Sequence, residues 1–346
     1  MPPLRRLLVV LVGILLLAGS VPSFGQSIDL GGRAFGDYFY AASAPDSVQG
    51  GLSYPVAVPD SAREGLHGFA YRRLYLTVDF QLSRRLRGRA RLEANDGTTG
   101  PSGPIPYVKD LWVEWAYSGE HSATVGVTGP PAFELSGEVW GYRSLEKTIL
   151  DRRGIVSSRD FGVRLDGPLF AAGDVRYSVM YANNSGVRPE ADRKKRIYGR
   201  LSARPTEEIV LGAGGDYAEL GDRPDRRLRL STFAGYATDR FRVGLEGYRA
   251  ATRLTDTTSV REYGASLFGT VQVTQTWGLV ARLDWTTQLL PATDPLGFDP
   301  VESLILAGVT YKPHPNVEVI PNVWVRNSNR YSQSDTLLRL TLDLSF

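Results

Sequence analysis

Arginines and carboxylates, many of them at alternate positions, are the side chains through which this 346-residue chain could do chemistry. The sequence has 35 Arg and only 5 Lys, set against 37 Asp and Glu residues. In the segment 86–93, Arg87, Arg89 and Arg91 alternate with apolar residues. A guanidinium is planar, always charged and able to bond an anion through two N–H groups. Because side chains two residues apart share one face of a strand, this spacing predicts a charged surface that attracts small ions.

Other reactive groups are scarce. The chain has no cysteine, and its three histidines are His67, His121 and His314. Scattered histidines without cysteine provide neither a cluster of metal ligands nor a nucleophile with its base. We therefore expect no catalytic residues, no metal site and no cofactor, and hence no enzyme. The formal net charge is only +3, which argues against a nucleic-acid partner because such proteins carry a strongly basic stripe.

The first 25 residues have the composition of a secretory signal peptide. Two arginines precede an apolar run from 7 to 18, and Ser23 and Gly25 fit the −3 and −1 positions of a cleavage site. The alternative is a membrane anchor, but this run is shorter than the roughly 20 residues that a transmembrane helix needs. We expect 1–25 to be removed and 26–346 to form a single barrel domain.

The rest of the sequence alternates apolar and polar residues with the period of a β-strand. Sixteen segments show this pattern: 28–42, 66–82, 86–95, 108–117, 122–129, 160–167, 174–183, 195–204, 208–218, 226–238, 241–251, 260–273, 276–288, 302–312, 317–327 and 336–346. Short connections between them alternate with longer ones along the whole chain. This alternation is typical of outer-membrane barrels. We predict an all-β fold, a transmembrane up-and-down antiparallel β-barrel of about 16 strands, with short periplasmic turns and longer extracellular loops.

The two faces of the predicted strands differ in polarity. In the last segment, leucines alternate with Arg339, Thr341 and Asp343. A soluble protein would bury the leucines, whereas a membrane barrel exposes them to lipid and keeps a polar lumen. Alternation alone fits both arrangements, so the leader, the loop pattern and the strand number decide for the membrane barrel. The terminal Phe346 on an amphipathic strand resembles the end of bacterial outer-membrane barrels, and we expect that location.

The longest connection, residues 130–159, combines apolar side chains with many charges. Connections of this length are uncommon in compact domains and are usually functional. We predict that the segment folds into the barrel, packs its apolar residues on the wall and narrows the lumen with its charges. The alternative is an external cap or a subunit contact. Its candidate constriction residues are Glu134, Glu138, Arg143, Glu146, Lys147, Arg152 and Arg153.

The alternation of inward and outward positions along each strand (strand parity) gives further candidate pore-lining residues. These are Arg73, Arg87, Arg89, Arg91 and Arg164. Parity also places many other arginines and carboxylates on the lumen face, and opposite charges across a pore would favour small polar solutes. The alternative is that neighbouring strands simply pair these charges with one another.

The middle of the chain also resembles a known family. A Val125-Gly126-Val127 strand runs into a Pro/Phe/Glu segment, a charged loop follows from Trp140 to Lys147, and Asp160-Phe161-Gly162 opens the next strand. This order resembles the porins that include the phosphate-selective porins O and P. The resemblance implies a sixteen-stranded channel that is commonly trimeric. Phosphate selectivity in that family rests on lumen ladders of arginine and lysine. Here lysine is nearly absent and acids accompany the arginines, so the resemblance does not imply phosphate specificity.

Together these patterns predict a porin in the lipid bilayer of the outer membrane. We expect a homotrimer with water-filled channels for passive diffusion of small hydrophilic solutes and ions, with a mild preference for anions. A non-channel structural or adhesion barrel is the alternative. A barrel lipase is disfavoured because its Ser–His pair would lie near the outer surface, where only His67 is expected.

Overall fold

The computed structural model describes residues 27–44, 63–100, 103–170, 174–219, 226–253, 259–290, 299–331 and 333–346. The predicted signal peptide and parts of several predicted long connections lie outside these residues.

Sixteen antiparallel strands of the described chain close into one barrel. They are β1 (Ser27–Ser43), β2 (His67–Ser83), β3 (Leu86–Asn95), β4 (Tyr107–Ser118), β5 (His121–Thr128), β6 (Asp160–Pro168), β7 (Val175–Ala182), β8 (Arg196–Ala203), β9 (Ile209–Glu219), β10 (Arg226–Ala237), β11 (Phe241–Arg253), β12 (Ser259–Gln272), β13 (Trp277–Leu289), β14 (Val301–His314), β15 (Val317–Ser328) and β16 (Asp335–Ser345). Each predicted segment corresponds to one strand, and the predicted fold class is confirmed.

The remaining elements are short. The helices α1 (Glu134–Trp140) and α2 (Ile149–Arg152) both lie in the long connection between β5 and β6, and Thr99–Gly100 pairs with Gly103–Pro104 as a separate two-stranded sheet. Within the part of the chain that the structure describes, no helix is both long and apolar enough to cross a membrane.

The barrel closes where the last strand meets the first. In the pairing of β16 with β1, Leu340 lies opposite Tyr38. The terminal Phe346 extends this seam: its N–H donates to the Gly32 carbonyl at 3.0 Å, and the Gly32 N–H donates to the Phe346 carbonyl at 2.6 Å. The Phe346 ring covers Gly32 so closely that an added Cβ would lie 2.2 Å from it. A larger residue at position 32 would therefore force the Phe346 ring to move.

The barrel reverses the polarity of a soluble protein. On β11, Leu245 is 55% exposed, whereas the adjacent Glu246 is 2% exposed. The same contrast holds on β13 between Leu283, at 49%, and Asp284, at 0%. Exposed leucines on the outer face suit lipid, and buried charges suit a lumen in which ions pair with one another. The predicted assignment of the two faces is thus correct for these strands.

Outward aromatic rings form two belts. The inner belt lies beside the short turns and includes Trp277 with Tyr311, whose ring centroids are 4.5 Å apart. The outer belt lies toward the long connections and includes Tyr217, Tyr263 and Trp285. From Trp277 to Trp285 the strand rises about 26 Å at about 3.3 Å per residue. With the usual strand tilt of about 35–45°, the belts are about 20 Å apart in height, close to an apolar band of about 25 Å.

Substitutions on the outer face test how deep each strand position lies in the bilayer. Leu340 is 47% exposed near the middle of β16, so Leu340→Arg should lower the free energy of unfolding by roughly 2–4 kcal/mol at the bilayer midplane. Leu82→Arg is the matched control, since Leu82 is exposed next to the last residue of β2 and should cost about 0–1 kcal/mol near the interface. Urea titration in lipid vesicles measures both values. Equal costs at the two positions would contradict the assigned depths.

Candidate functional site

The segment 130–159 lies inside the barrel. It connects β5 and β6, yet its helix α1 contacts β10, β11 and β12. Trp140 and Leu145 are 1% and 0% exposed and pack among inward-facing side chains of the wall such as Phe233 and Phe268. The loop therefore extends into the lumen and rests on a wall several strands away from its own ends.

Apolar contacts fix this loop to the wall. The Trp140 ring meets the Phe268 ring at 5.3 Å in an edge-on arrangement, and its Nε1 donates to the Glu146 carbonyl at 2.8 Å. Val139 and Leu145 join the same buried cluster, which also takes lumen-facing side chains from nine strands, among them Phe39, Val210, Phe233, Val280, Leu304, Leu306, Ile320, Trp324 and Leu337. These side chains fill the part of the lumen around Trp140.

A second apolar cluster holds the end of the loop. Ile149 and Leu150 of α2 are fully buried and pack with Met180, Tyr198 and Tyr248 of the wall. The loop thus has two apolar attachment points, one around Trp140 and one around α2.

Ion pairs strengthen both attachments. Glu134 bonds Arg164 of β6 and Arg200 of β8, the latter at 2.8 Å. Arg152 lies 3.3 Å from Asp284 and 3.0 Å from Glu302. The pairs of Arg152 are largely buried, and removing one partner of a buried pair is strongly destabilising because the other charge loses its partner.

Arg153 makes the same kind of wall contact as Arg152. Its Nε donates to Glu262 at 3.0 Å and its Nη1 to Glu302 at 3.3 Å. From the sequence, both arginines are expected at the constriction. The structure instead places them against β12, β13 and β14, where they anchor the loop.

The open space is a cavity of about 540 Å³ between the loop and the wall formed by β1 to β4. Its charged lining residues are Arg33, Asp79, Arg89, Arg91, Lys109, Glu134, Arg143, Glu146, Lys147 and Arg159. Seven of these are cations and three are carboxylates. On the cavity surface, cationic side chains therefore outnumber carboxylate side chains.

Two β-bulges raise the density of positive charge on this wall. The register between β1 and β2 shifts so that Arg73 pairs with Phe35 and Tyr71 with Gly36, which leaves Arg72 as an extra residue. Arg72 turns inward and donates to the Ser144 carbonyl of the loop at 2.7 Å. A bulge redirects a side chain in this way because two residues of one strand oppose a single residue of its partner.

The second bulge lies at Lys109. Arg91 pairs with Asp110 and Leu92 with Val108, so Lys109 is the extra residue of β4. Lys109 and Asp110 are consequently both buried inside the barrel, at 4% and 2% exposure. Strict alternation would have pointed Lys109 at the lipid.

Buried carboxylates stand behind the cations of the cavity. Lys109 lies 2.8 Å from Glu93, and Arg143 lies 2.7 Å from Asp151. Arg33 donates to Asp343 at 2.9 Å. None of these three carboxylates lines the cavity, and each is buried. The carboxylates therefore hold the cations in place while the cations face the open space.

Tyr75 organises the basic groups. It is buried, and its hydroxyl oxygen accepts from Arg73 at 3.0 Å and from Arg143 at 3.3 Å. The Arg91 guanidinium lies 5.3 Å from the centre of the same ring, within the range of a cation–π interaction. One aromatic side chain thus positions three arginines from two strands and the loop.

Two loop carboxylates, Glu134 and Asp151, have lowered pKa values. Burial alone would raise the pKa of Glu134. The positive charges and hydrogen bonds of Arg164 and Arg200 have the larger opposite effect, so the pKa lies below its ordinary value. Burial likewise opposes ionisation of Asp151, but Arg143 and Lys147 lower its pKa. Burial disfavours the charged form of Arg143, yet Asp151 and Tyr75 raise its pKa overall.

The structure separates the predicted site residues into two groups. Those that line the cavity are Glu134, Arg143, Glu146, Lys147, Arg89 and Arg91. The others lie elsewhere. Arg73 is behind the cavity at 3.3 Å from Glu93, Arg87 pairs with Glu114 near a short turn, Glu138 pairs with the exposed Arg204, and Arg164 pairs with Glu134 and Asp166.

Among the lining residues that were not sequence candidates are Arg33, Tyr75, Lys109 and Arg159. Strict alternation of inward and outward side chains along β1 and β2 is enough to place Arg33 and Tyr75 in the lumen. The inward position of Lys109 could be predicted only by knowing that β4 contains a bulge. Among the described residues, no group of histidine, aspartate and glutamate side chains has the arrangement of a metal site.

Comparisons with solved structures match the whole barrel. A loop L8 deletion mutant of OmpT, an outer membrane protein of Vibrio cholerae, is 14% identical over 93% of this chain and 99% of that chain, with a TM-score of 0.66. An anion-selective porin from Comamonas acidovorans is 14% identical over 93% of this chain and 100% of that chain, also at 0.66. The outer membrane channel DcaP of Acinetobacter baumannii is 12% identical over 95% of this chain and 99% of that chain, at 0.62.

Neither a protein-family model nor a curated protein sequence matches the chain. At 12–14% identity, the structural likeness establishes the fold, which is that of outer-membrane porins. The predicted outer-membrane location is confirmed at this level. The narrower resemblance to the phosphate-selective porins is not confirmed.

The lowered pKa values of Glu134 and Asp151 predict how the loop responds to pH. Their contribution to anchoring is complete above the ordinary carboxylate range of about 3.9–4.3 and is lost as the pH falls through the lowered values. Hydrogen–deuterium exchange of 134–153, corrected for intrinsic rates, should show protection at pH 6 and increased exchange near pH 3.

The paired variant Glu134→Gln with Asp151→Asn should show the increased exchange already at pH 6. Glu190→Gln removes an exposed carboxylate that is paired with Lys195 in an outer loop and is the control that should behave like the unmodified protein. Equal protection at both pH values in the unmodified protein would show that these carboxylates do not anchor the loop.

Proposed function

We propose that the chain forms a water-filled channel for the passive diffusion of small hydrophilic solutes and ions, with a preference for anions. The observation that supports this most directly is the cavity between the loop and the wall of β1 to β4, with seven cations and three carboxylates on its surface. The likeness to porin structures agrees with it.

The geometry explains how such a channel would act. The two apolar clusters keep one side of the lumen dry and fix the loop, so solutes would pass on the side of β1 to β4. Rings of fixed charge select ions by sign. Here the cations come from wall and loop, and an anion in the cavity meets guanidinium and ammonium groups on both sides.

A non-channel structural or adhesion barrel remains the second candidate. Closure of the sheet and the apolar outer band serve either function equally. The charged cavity distinguishes them, because a barrel with no transport role has no need for an electropositive opening beside an anchored loop.

We further propose that the protein acts without catalysis and assembles as a homotrimer in the outer membrane, as the family resemblance implies. Light scattering of the purified protein in detergent, corrected for bound detergent, tests the oligomeric state. A single protomer per particle in mild detergent would contradict the trimer.

Planar lipid bilayers test the proposed function directly. The folded protein should give discrete conductance steps, and a salt gradient should give a reversal potential on the anion-selective side. Absence of steps from protein that is shown to be folded by its heat-dependent electrophoretic mobility would exclude the channel and favour the structural barrel.

Neutralising two loop cations should reduce the anion preference. In the variant Arg143→Gln with Lys147→Gln, the cavity lining loses two of its seven cations, so the reversal potential should move toward the cation side. The control Arg85→Gln with Arg193→Gln removes two exposed charges that do not line the cavity and should leave the potential unchanged. Equal shifts in both pairs would mean that general surface charge sets the selectivity.

Shortening the loop should widen the passage. Deletion of 139–149 removes Trp140, Arg143 and Lys147, and should raise the single-channel conductance. Deletion of 185–195, which has the same length and lies in an outer loop, is the control and should leave the conductance close to its original value. An unchanged conductance after the first deletion would contradict the role of the loop as the constriction.

A further inference from the structure

Two neutral hydroxyl groups line the cavity between the loop and the wall of β1 to β4. They belong to Tyr75 of β2 and to Thr148, the residue directly before α2. Tyr75 is 8% exposed and Thr148 is 5% exposed. Buried polar groups in proteins normally have a hydrogen-bond partner for each donor, because an unpaired one costs free energy. The partners of these two hydroxyls therefore indicate what the cavity holds.

The Tyr75 hydroxyl is fixed by bonds that use only its oxygen. Arg73 donates to this oxygen at 3.0 Å and Arg143 donates to it at 3.3 Å. A phenol also has one proton to donate, and it ordinarily keeps this proton at neutral pH. Within the part of the chain that the structure describes, no acceptor receives the proton. Two charged donors on the oxygen polarise the O–H group and strengthen it as a donor.

The Thr148 hydroxyl has no hydrogen-bond partner among the described residues. The backbone carbonyl of Thr148 accepts from the Arg152 N–H at 2.8 Å. The side chain of a threonine before a helix commonly accepts from a backbone N–H of the first turn, but the Thr148 side chain makes no such bond. Its Oγ1 atom thus remains available on the loop side of the cavity, whereas Tyr75 belongs to the wall.

Arg143 provides a charged donor beside the Tyr75 hydroxyl. Its Nε bonds Tyr75 and its Nη1 bonds Asp151 at 2.7 Å. In the described chain, both N–H groups of its Nη2 are left without an acceptor. Because Nε and Nη2 lie on the same edge of the planar guanidinium, one N–H of Nη2 is directed alongside the bond to Tyr75. A solute that accepts from both groups needs two oxygens close together.

We propose that the hydroxyls of Tyr75 and Thr148 donate to the carboxylate groups of small organic anions, so that the channel prefers carboxylates to halide ions. This inference rests on the proposed channel and names the class of its solutes. A fixed positive charge attracts chloride and acetate alike. Directional donors distinguish them, because a carboxylate offers two oxygens with about four lone-pair sites. Hydrogen bonds from O–H groups to a charged oxygen are also among the strong ones in proteins.

The test compares acetate with chloride in planar lipid bilayers at pH 7. The full-length protein separates potassium chloride on one side from the same concentration of potassium acetate on the other. The reversal potential then gives the permeability ratio of acetate to chloride. The variants Tyr75→Phe and Thr148→Val each remove one hydroxyl and no charge. Each should lower this ratio roughly two- to tenfold, the range expected for the loss of one hydrogen bond.

The matched control is Tyr71→Phe. This change also removes a tyrosine hydroxyl from β2, but Tyr71 is exposed, does not line the cavity and donates to the Ala94 carbonyl. Its permeability ratio should equal that of the unmodified protein. Heat-dependent mobility verifies first that each barrel is folded. If Tyr75→Phe does not fold, Thr148→Val decides alone, since it breaks no hydrogen bond of the described chain.

A second measurement separates donation to the solute from positioning of the arginines. Tyr75 holds Arg73 and Arg143, so a role limited to positioning would change the reversal potential in a potassium chloride gradient. Loss of a donor to carboxylates should instead lower the acetate ratio and leave the potential in potassium chloride nearly unchanged. Thr148→Val repositions no cation that bonds its hydroxyl, and its effect should be confined to acetate.

Four results would overturn the inference. An unchanged acetate ratio in both variants would show that the hydroxyls do not meet the solute, and a fall in only one would reject the other residue. A change confined to potassium chloride selectivity would leave only a positioning role. A fall in the ratio of phosphate to chloride without a fall for acetate would indicate a phosphate site. Absence of conductance steps from the unmodified protein would reject the proposed channel and this inference with it, whereas a conducting channel with unaltered ratios rejects this inference alone.

Discussion

Backbone hydrogen bonding without water is the constraint on which the other features of this protein depend. In the bilayer, each unpaired N–H or C=O group costs several kcal/mol, so an open sheet with two free edges is excluded. The pairing of β16 with β1 removes both edges. The seam runs to the last residue, where Phe346 bonds Gly32 in both directions. Closure in turn creates an interior, and every charged side chain of that interior must find a partner there.

The interior is divided into two unequal parts. Around Trp140 and α2, apolar residues of the loop meet apolar residues of the wall and form a core of the kind found in soluble proteins. Opposite this core, arginine and lysine side chains surround an open cavity. Ion pairs such as Arg152 with Asp284 join the two parts. The loop is thus both a plug on one side and a wall of the cavity on the other.

The fold could be predicted almost completely from the sequence, because alternation and turn residues are local signals. Strand ends agree with the prediction to within two residues. The site was predicted less well, and the reason is geometric. The bulge at Lys109 shifts the alternation of inward and outward side chains along β4 by one residue. The amino-acid sequence contains no local signal for this bulge. For Arg152 and Arg153, the sequence gives a charge within the loop, whereas the side of the lumen that each one faces depends on how the loop folds over the apolar cluster.

The carboxylates behind the cavity have a kinetic consequence. Glu93 and Asp151 already neutralise much of the charge on Lys109 and Arg143, and they prevent these side chains from swinging onto a passing ion. In the proposed channel, several cations whose charge is partly neutralised would together lower the free energy of an anion enough for it to enter. No single cation would bind the anion tightly enough to hold it. Its residence time would be short, and throughput would rise with concentration without early saturation.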